Sequence, residues 1–174
     1  MSRGLPSPPT RFIGRARALD ELKDLIAHHR VVTLLGPGGA GKTRLAIEVA
    51  RHAPERDDVR FVDLAAARTA ADLWSEVMGA IGGGRTIGDW DAIADMLEVR
   101  GRILLVLDNV EQIAEATAAA VAAWIARAPR TTVLLTSRQR LGIRGEISYE
   151  VPPLPVPGIA DDALETIAGS EAVQ

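Results

Sequence analysis

One segment constrains the fold of this chain more than any other: Gly36-Pro37-Gly38-Gly39-Ala40-Gly41-Lys42-Thr43. It fits G-x-x-x-x-G-K-[ST], the phosphate-binding P-loop, a pattern that carries meaning only between a strand and a helix. Both flanks qualify. Val31 to Leu35 is a short β-branched and apolar run that reads as a buried parallel strand. Arg44 to His52 has helical periodicity and meets no Pro or Gly until Pro54. The four glycines let backbone N–H groups curl around an anion without Cβ clashes. The helix N-terminus adds its partial positive charge. On this reading Gly36, Pro37, Gly38, Gly39, Ala40, Gly41 and Arg44 line a phosphate site. Lys42 reaches the β- and γ-phosphates, and Thr43 holds Mg²⁺.

A second segment completes the requirement. Arg102 to Leu107 ends in five consecutive aliphatic residues, as a central strand buried on both faces does. Asp108 follows at once, at the C-terminal strand end where open α/β sheets bind ligands. A carboxylate there meets Mg²⁺ beside Thr43.

The remaining elements follow from periodicity. Pro6, Pro8 and Pro9 make residues 1–11 an extended arm. A helix is predicted from about Ala16 to His29, with Leu19, Leu22, Leu25 and Ile26 on one face. Pro54 and Asp57-Asp58 read as a turn, and Arg60 to Leu64 as a second strand. Asp63 faces either the nucleotide side or the following turn. Thr69 is a candidate N-cap for a helix ending at Ile81, which presents Leu73, Val77 and Ile81. A further helix runs from Asp89 to about Val99 with Ile93, Met96 and Leu97 inward. Glu111 to Ala128 reads as one long Ala-rich helix, and Trp74, Trp90 and Trp124 as packing residues. Thr131 to Thr136 is a fourth strand, followed by Ser137 and Arg138. Ile147 to Val151 is a fifth. Four prolines between 152 and 157 then mark an exit segment, and 161–174 carries a weak helical pattern that reads as the start of a longer protein.

Strands alternating with helices predict a three-layer α/β fold around a five-stranded parallel sheet. Two P-loop layouts satisfy that pattern. The polar end of the fourth strand, Thr136-Ser137-Arg138, favours the one in which a further strand separates the P-loop strand from that of Asp108. Residues 12–151 form the nucleotide-binding domain on this reading. The chain has 174 residues, is 47% hydrophobic and carries net charge −3, which gives no bulk signal for nucleic-acid binding. It has no cysteine, so disulfides and thiolate metal sites are excluded and a reducing, cytoplasmic setting is the expectation. No apolar run approaches the length of a membrane span, so no membrane partner is expected.

Phe12-Ile13-Gly14-Arg15, the P-loop, Leu104 to Asn109, and Leu135-Thr136-Ser137-Arg138 with Leu141-Gly142 and Gly145-Glu146 together resemble the STAND class of AAA+-related ATPases. The nearest likeness is to the NB-ARC-like domains of large bacterial transcriptional regulators. The resemblance implies an ATP/ADP-controlled switch, with Mg²⁺, that gates homo-oligomerisation and an output domain elsewhere in a longer chain. DNA would be met only through such a further domain. It also implies that the backbone of Ile13 and Gly14, with Arg15, contacts adenine, and that Arg138 senses the γ-phosphate. One departure matters. Asn109 stands where vigorous ATPases of this layout carry Asp or Glu, and an amide orients a water but takes no proton from it. Slow hydrolysis at best is therefore expected, with Lys42, Asp108, Asn109 and Arg138 as the residues nearest the chemistry. Glu111 is close in sequence, but the chain is expected to have turned away by then. An active AAA+ ATPase that remodels a partner is the alternative; a small-molecule kinase lacks a basic lid. No guanine-reading Asn-Lys-x-Asp occurs.

Overall fold

The computed structural model describes residues 5–7, 14–53, 58–83 and 90–152. Its elements run α1 (Ala16–His28), β1 (Val31–Leu35), α2 (Lys42–Arg51), β2 (Asp58–Asp63), α3 (Ala70–Ile81), α4 (Trp90–Val99), β3 (Ile103–Asp108), a 3₁₀ turn (Val110–Ile113), α5 (Ala114–Arg127), β4 (Thr132–Ser137) and β5 (Glu146–Glu150). The sheet order is β2-β3-β4-β1-β5 and every pairing is parallel. β4 thus lies between the P-loop strand β1 and the Asp108 strand β3, the layout that the polar end of β4 predicts.

Parallel strands need crossover connections, and here the crossovers form a layer on each side of the sheet. The two-residue alternation of the central strands separates those layers. Ile103, Leu105 and Leu107 of β3, with Val133 and Leu135 of β4, pack against α3, α4 and α5. Leu104, Val106 and Leu134 point the other way, to α1 and α2. Every residue of β3 and β4 is buried, the apolar runs Ile103 to Leu107 and Val133 to Leu135 as well as the polar residues at the strand ends. Trp74 and Trp124 are buried in the first layer, and the rings of Trp90 and Trp124 lie 6.1 Å apart. Each such ring adds a large apolar area where smaller aliphatics dominate. Pro6 lies against α2, where Arg51 Nη2 donates to its carbonyl at 2.8 Å.

Local signals place the element ends. Thr69 caps α3 as predicted: its hydroxyl accepts from Asp72 N–H, and the Asp72 carboxylate accepts from Thr69 N–H at 2.8 Å, a reciprocal capping box. α2 starts at Lys42, two residues earlier than its periodicity suggests, because Gly41 takes a left-handed conformation (φ 80°) and opens the helix. β2 starts at Asp58 rather than Arg60. The carboxylate expected to mark a turn is held by Arg60 and by Arg100, each at 2.9 Å, and that anchors it in the strand. β5 starts one residue early at Glu146, whose carboxylate accepts the N–H groups of Leu141, Gly142 and Ile143 and folds the preceding loop.

The long helix expected from Glu111 is a correction. Asn109 has φ 61° and ψ 49°, the only left-handed non-glycine among the described residues. It reverses the chain into a single 3₁₀ turn, and α5 starts afresh at Ala114. Asn tolerates this conformation better than most residues, so the break costs little. Ile13, the exit segment from 153 onward, and the helical pattern in 161–174 lie outside the described residues.

Candidate functional site

The loop between β1 and α2 wraps the C-terminal end of the sheet. Gly39 and Gly41 have φ of 78° and 80°, conformations that L side chains rarely adopt. A Cβ on Gly41 would also lie 3.1 Å from Arg15 Nη1, so the loop and Arg15 meet closely there. Lys42 is 8% exposed and folds back over its own loop, donating to the carbonyls of Gly36 and Pro37 at 2.8 and 2.9 Å. Its charge is thus held inside the loop by neutral acceptors, which an anionic phosphate outcompetes.

Thr43, on the first turn of α2, donates through Oγ1 to the Asp108 carboxylate, 2.9 Å from both oxygens. Thr136, at the next strand end, donates to the same carboxylate at 2.5 Å and accepts from Asn109 N–H at 2.9 Å. Asn109 Nδ2 donates to Asp108 at 2.9 Å and to Asp63 at 3.3 Å. Asp63 also accepts from Ala65 N–H at 3.0 Å, so it both caps the turn and faces Asn109. Burial pushes the Asp108 carboxyl above its ordinary value. The Thr136 and Thr43 hydroxyls pull it back, while the charges of Asp63 and Glu111 push it further up.

A cation at Thr43 and Asp108 fits this chemistry. The carboxylate is buried and surrounded by hydroxyl, amide and carboxyl groups, with no cationic partner among its hydrogen bonds. Among the described residues no cluster of three or more His, Cys, Asp or Glu can hold a metal ion. One carboxylate and one hydroxyl suit Mg²⁺ arriving with phosphates and water, because that ion rarely sits in an all-protein cage.

Two cavities flank this region, one against the loop and one beyond Arg15. One, of about 420 Å³, is lined by Gly38, Lys42, Thr43, Asn109, Glu111 and Arg138, with Arg44 also at its wall. Arg138 leaves the end of β4 and lies over the loop, its Nη2 3.5 Å from where a Gly38 Cβ would stand. Its Nε is 3.2 Å from Glu111 Oε1. Glu111 is therefore not turned away, as its place in sequence suggests. The reversal at Asn109 brings it back to face the P-loop, and only that conformation, invisible to periodicity, places it there. The other cavity, about 630 Å³, lies between α1 and the end of β5 and is lined by Gly14, Arg15, Glu21, Ser148, Tyr149 and Pro152 among others. Arg15 is 8% exposed, donates to the Pro152 carbonyl at 2.9 Å, and stands between this space and Gly41. Tyr149 donates to Glu21 at 2.9 Å, a pair that no motif announces.

The AAA domain family matches residues 25–139. A Mycobacterium tuberculosis protein named as an HTH-type transcriptional regulator is 38% identical over 151 residues, which cover 84% of this chain and 16% of that protein. The regulatory protein AfsR of Streptomyces griseus is 33% identical over 157 residues, covering 79% of this chain and 15% of its own. The chain thus spans a small part of these relatives. Among solved structures, a Walker-type ATPase of Pyrococcus abyssi superposes with a TM-score of 0.63 at 17% identity, covering 94% of this chain and 60% of that one. A signal transduction ATPase with numerous domains from Pyrococcus horikoshii, which carries a tetratricopeptide repeat sensor, gives 0.55 at 21% identity, covering 89% and 25%. Among the described residues no helix is long and apolar enough to cross a membrane.

Proposed function

The chain belongs to the AAA domain family, and from that premise we propose that it is an ATP/ADP-binding regulatory switch, with slow hydrolysis, acting within a larger protein. One observation carries the reading. Lys42 and Thr43 of the loop, Asp108 at the end of β3 and Arg138 beyond the end of β4 converge at the C-terminal end of the sheet's inner strands. That set suits a nucleotide triphosphate with its cation: a cradle for phosphates, a carboxylate and hydroxyl for Mg²⁺, and an arginine beyond them for a third phosphate. Bound Mg²⁺ would neutralise phosphate charge as the terminal bond breaks.

Arg15 and Gly14, beside the larger cavity, are the residues proposed to meet the adenine, together with Ile13. Residues 12–151 are proposed as the nucleotide-binding domain, between the arm of 1–11 and the exit segment of 152–174. The regulatory part of the reading draws on the regulators among the chain's relatives. Nucleotide-dependent oligomerisation and an output domain that meets DNA belong to the whole protein. Slow turnover follows from Asn109, whose amide is engaged with two carboxylates and accepts no proton.

Titration with fluorescent ATP and ADP analogues tests the site. Lys42→Ala is expected to weaken both nucleotides by at least about tenfold through loss of charge-assisted contacts. Thr43→Ala is expected to remove most of the Mg²⁺ dependence of binding. Wild-type affinity in Lys42→Ala would refute the phosphate assignment.

A further inference from the structure

We propose that Glu111 is the carboxylate that accepts the proton of the water attacking ATP, and that Arg138 withholds it until a γ-phosphate draws the guanidinium away. This rests on the nucleotide-binding reading above and adds to it a residue and an order of events.

Three carboxylates stand near the loop, and their surroundings separate their roles. Asp108 accepts from Thr43, Thr136 and Asn109, and its position suits the cation. Asp63 is exposed and is occupied by Ala65 N–H and the Asn109 amide. Of the three, Glu111 is the one that lines the cavity over the P-loop. Its side chain is 17% exposed, one oxygen is held by Arg138, and the other, Oε2, is buried with no hydrogen-bond partner. A buried carboxylate oxygen without a donor is a costly arrangement unless something else comes to use it. A water in the phosphate cavity is the partner that chemistry supplies.

Arg138 is built to let go. Its side chain is 66% exposed, and exposed ion pairs contribute little net free energy. A γ-phosphate offers more negative charge and two oxygens to a planar guanidinium already lying over Gly38. Arg138 can then exchange Glu111 for phosphate. The freed carboxylate takes a proton from water as the water oxygen bonds to the γ-phosphorus. The bond from that phosphorus to the β–γ bridging oxygen breaks, and its electron pair leaves with ADP. The products are ADP and inorganic phosphate.

The exchange predicts an effect on binding as well as on rate. Glu111 and the γ-phosphate compete for Arg138, so removing the Glu111 charge favours ATP over ADP. With the 174-residue chain, the affinity ratio of a non-hydrolysable ATP analogue to ADP is measured by calorimetry, and hydrolysis in single turnover. Glu111→Gln is expected to raise that ratio about two- to fivefold, the range of an exposed ion pair, while lowering the hydrolysis rate about 100-fold. Arg138→Ala, a change at an exposed position, is expected to lower the ratio, and the double variant to match Arg138→Ala. An unchanged ratio in both single variants overturns the exchange. Wild-type hydrolysis in Glu111→Gln, or a wild-type chain that binds both nucleotides yet never hydrolyses ATP, overturns the proton-accepting role. Failure of the wild-type chain to bind either nucleotide would instead remove the phosphate-site reading beneath it.

Discussion

Asn109→Asp separates two views of the residue after Asp108. Sequence alone presents Asn109 as a missing acid. In the structure its amide nitrogen bridges two carboxylates, 2.9 Å from Asp108 and 3.3 Å from Asp63. Substitution keeps the shape, and Asp tolerates the left-handed backbone as Asn does, so backbone strain hardly changes. What changes is charge. A donor to a buried carboxylate becomes a second carboxylate beside it. A hydrogen bond to a charged group is worth about 1.5–3 kcal/mol. Two like charges at about 4 Å repel by about 1 kcal/mol in water and about 4 kcal/mol at an effective dielectric of 20. Asp108 is only 2% exposed, but Asn109 is half-buried, so the repulsion lies between these limits. Rotation of the new side chain toward water relieves part of it. The expected net loss is about 2–4 kcal/mol at neutral pH, read as a shift in urea midpoint at constant slope. The pH dependence carries a sign. Repulsion raises carboxyl pKa values in the folded state above their unfolded values, so the folded state binds protons more tightly. The deficit is therefore small below the ordinary carboxylate range and grows as pH rises through the raised values. Wild-type stability at pH 7, or a deficit that does not shrink in acid, would show that the amide is not bridging the two acids.

Four other outcomes are expected. Tyr149 is the chain's single tyrosine, and burial, then its bond to Glu21, pushes its phenol from 10.0 to about 12; absorbance titration should give that midpoint, moving back toward 10 in Glu21→Gln. The neutral phenol's contribution to stability is thus complete below pH 10 and lost toward pH 12, and a wild-type midpoint near 10 in folded protein would count against the pair. Trp124→Ala, at a fully buried position on the sheet-facing side of α5, should cost about 3–5 kcal/mol in chemical unfolding, and a loss below 1 kcal/mol would contradict its place in the core. Thr69→Ala should cost about 1 kcal/mol by removing the α3 cap. Asp72 is held below its ordinary value by the Arg68 N–H first and then by Thr69, so its stabilisation is present above the usual carboxylate range and fades as pH falls through the depressed value; Asp72→Asn should flatten that acid limb.

Most of the architecture was legible in the residues because it follows from patterns with short-range physical causes. Five aliphatics ending in Asp108 mean a strand buried on both faces, whatever surrounds it. The glycines at 39 and 41 demand left-handed backbone locally, and Thr69 with Asp72 caps its own helix. The P-loop, the parallel sheet and the strand between Val31–Leu35 and Ile103–Asp108 were all readable on those grounds. That Lys42, Thr43 and Asp108 come together was legible because a motif fixes both residue and context.

Other relations had no sequence signal. Nothing in periodicity tells that Arg15 lies against Gly41, that Tyr149 meets Glu21 across 128 residues, or that Thr136 is a donor to Asp108. These depend on strand register and helix placement, which bring residues distant in sequence into contact. Glu111 is the sharpest instance. An Ala-rich run with helical periodicity predicted that it would be carried off along a helix. The backbone at Asn109, held by Thr136 from the neighbouring strand and by Asp63 and Asp108 through its amide, reverses the chain instead. Sequence alone determined that residues Gly36 to Thr43 carry the P-loop pattern between a strand and a helix. Tertiary structure decided which carboxylate faces them, because one left-handed residue at a strand end is set by contacts from two other strands.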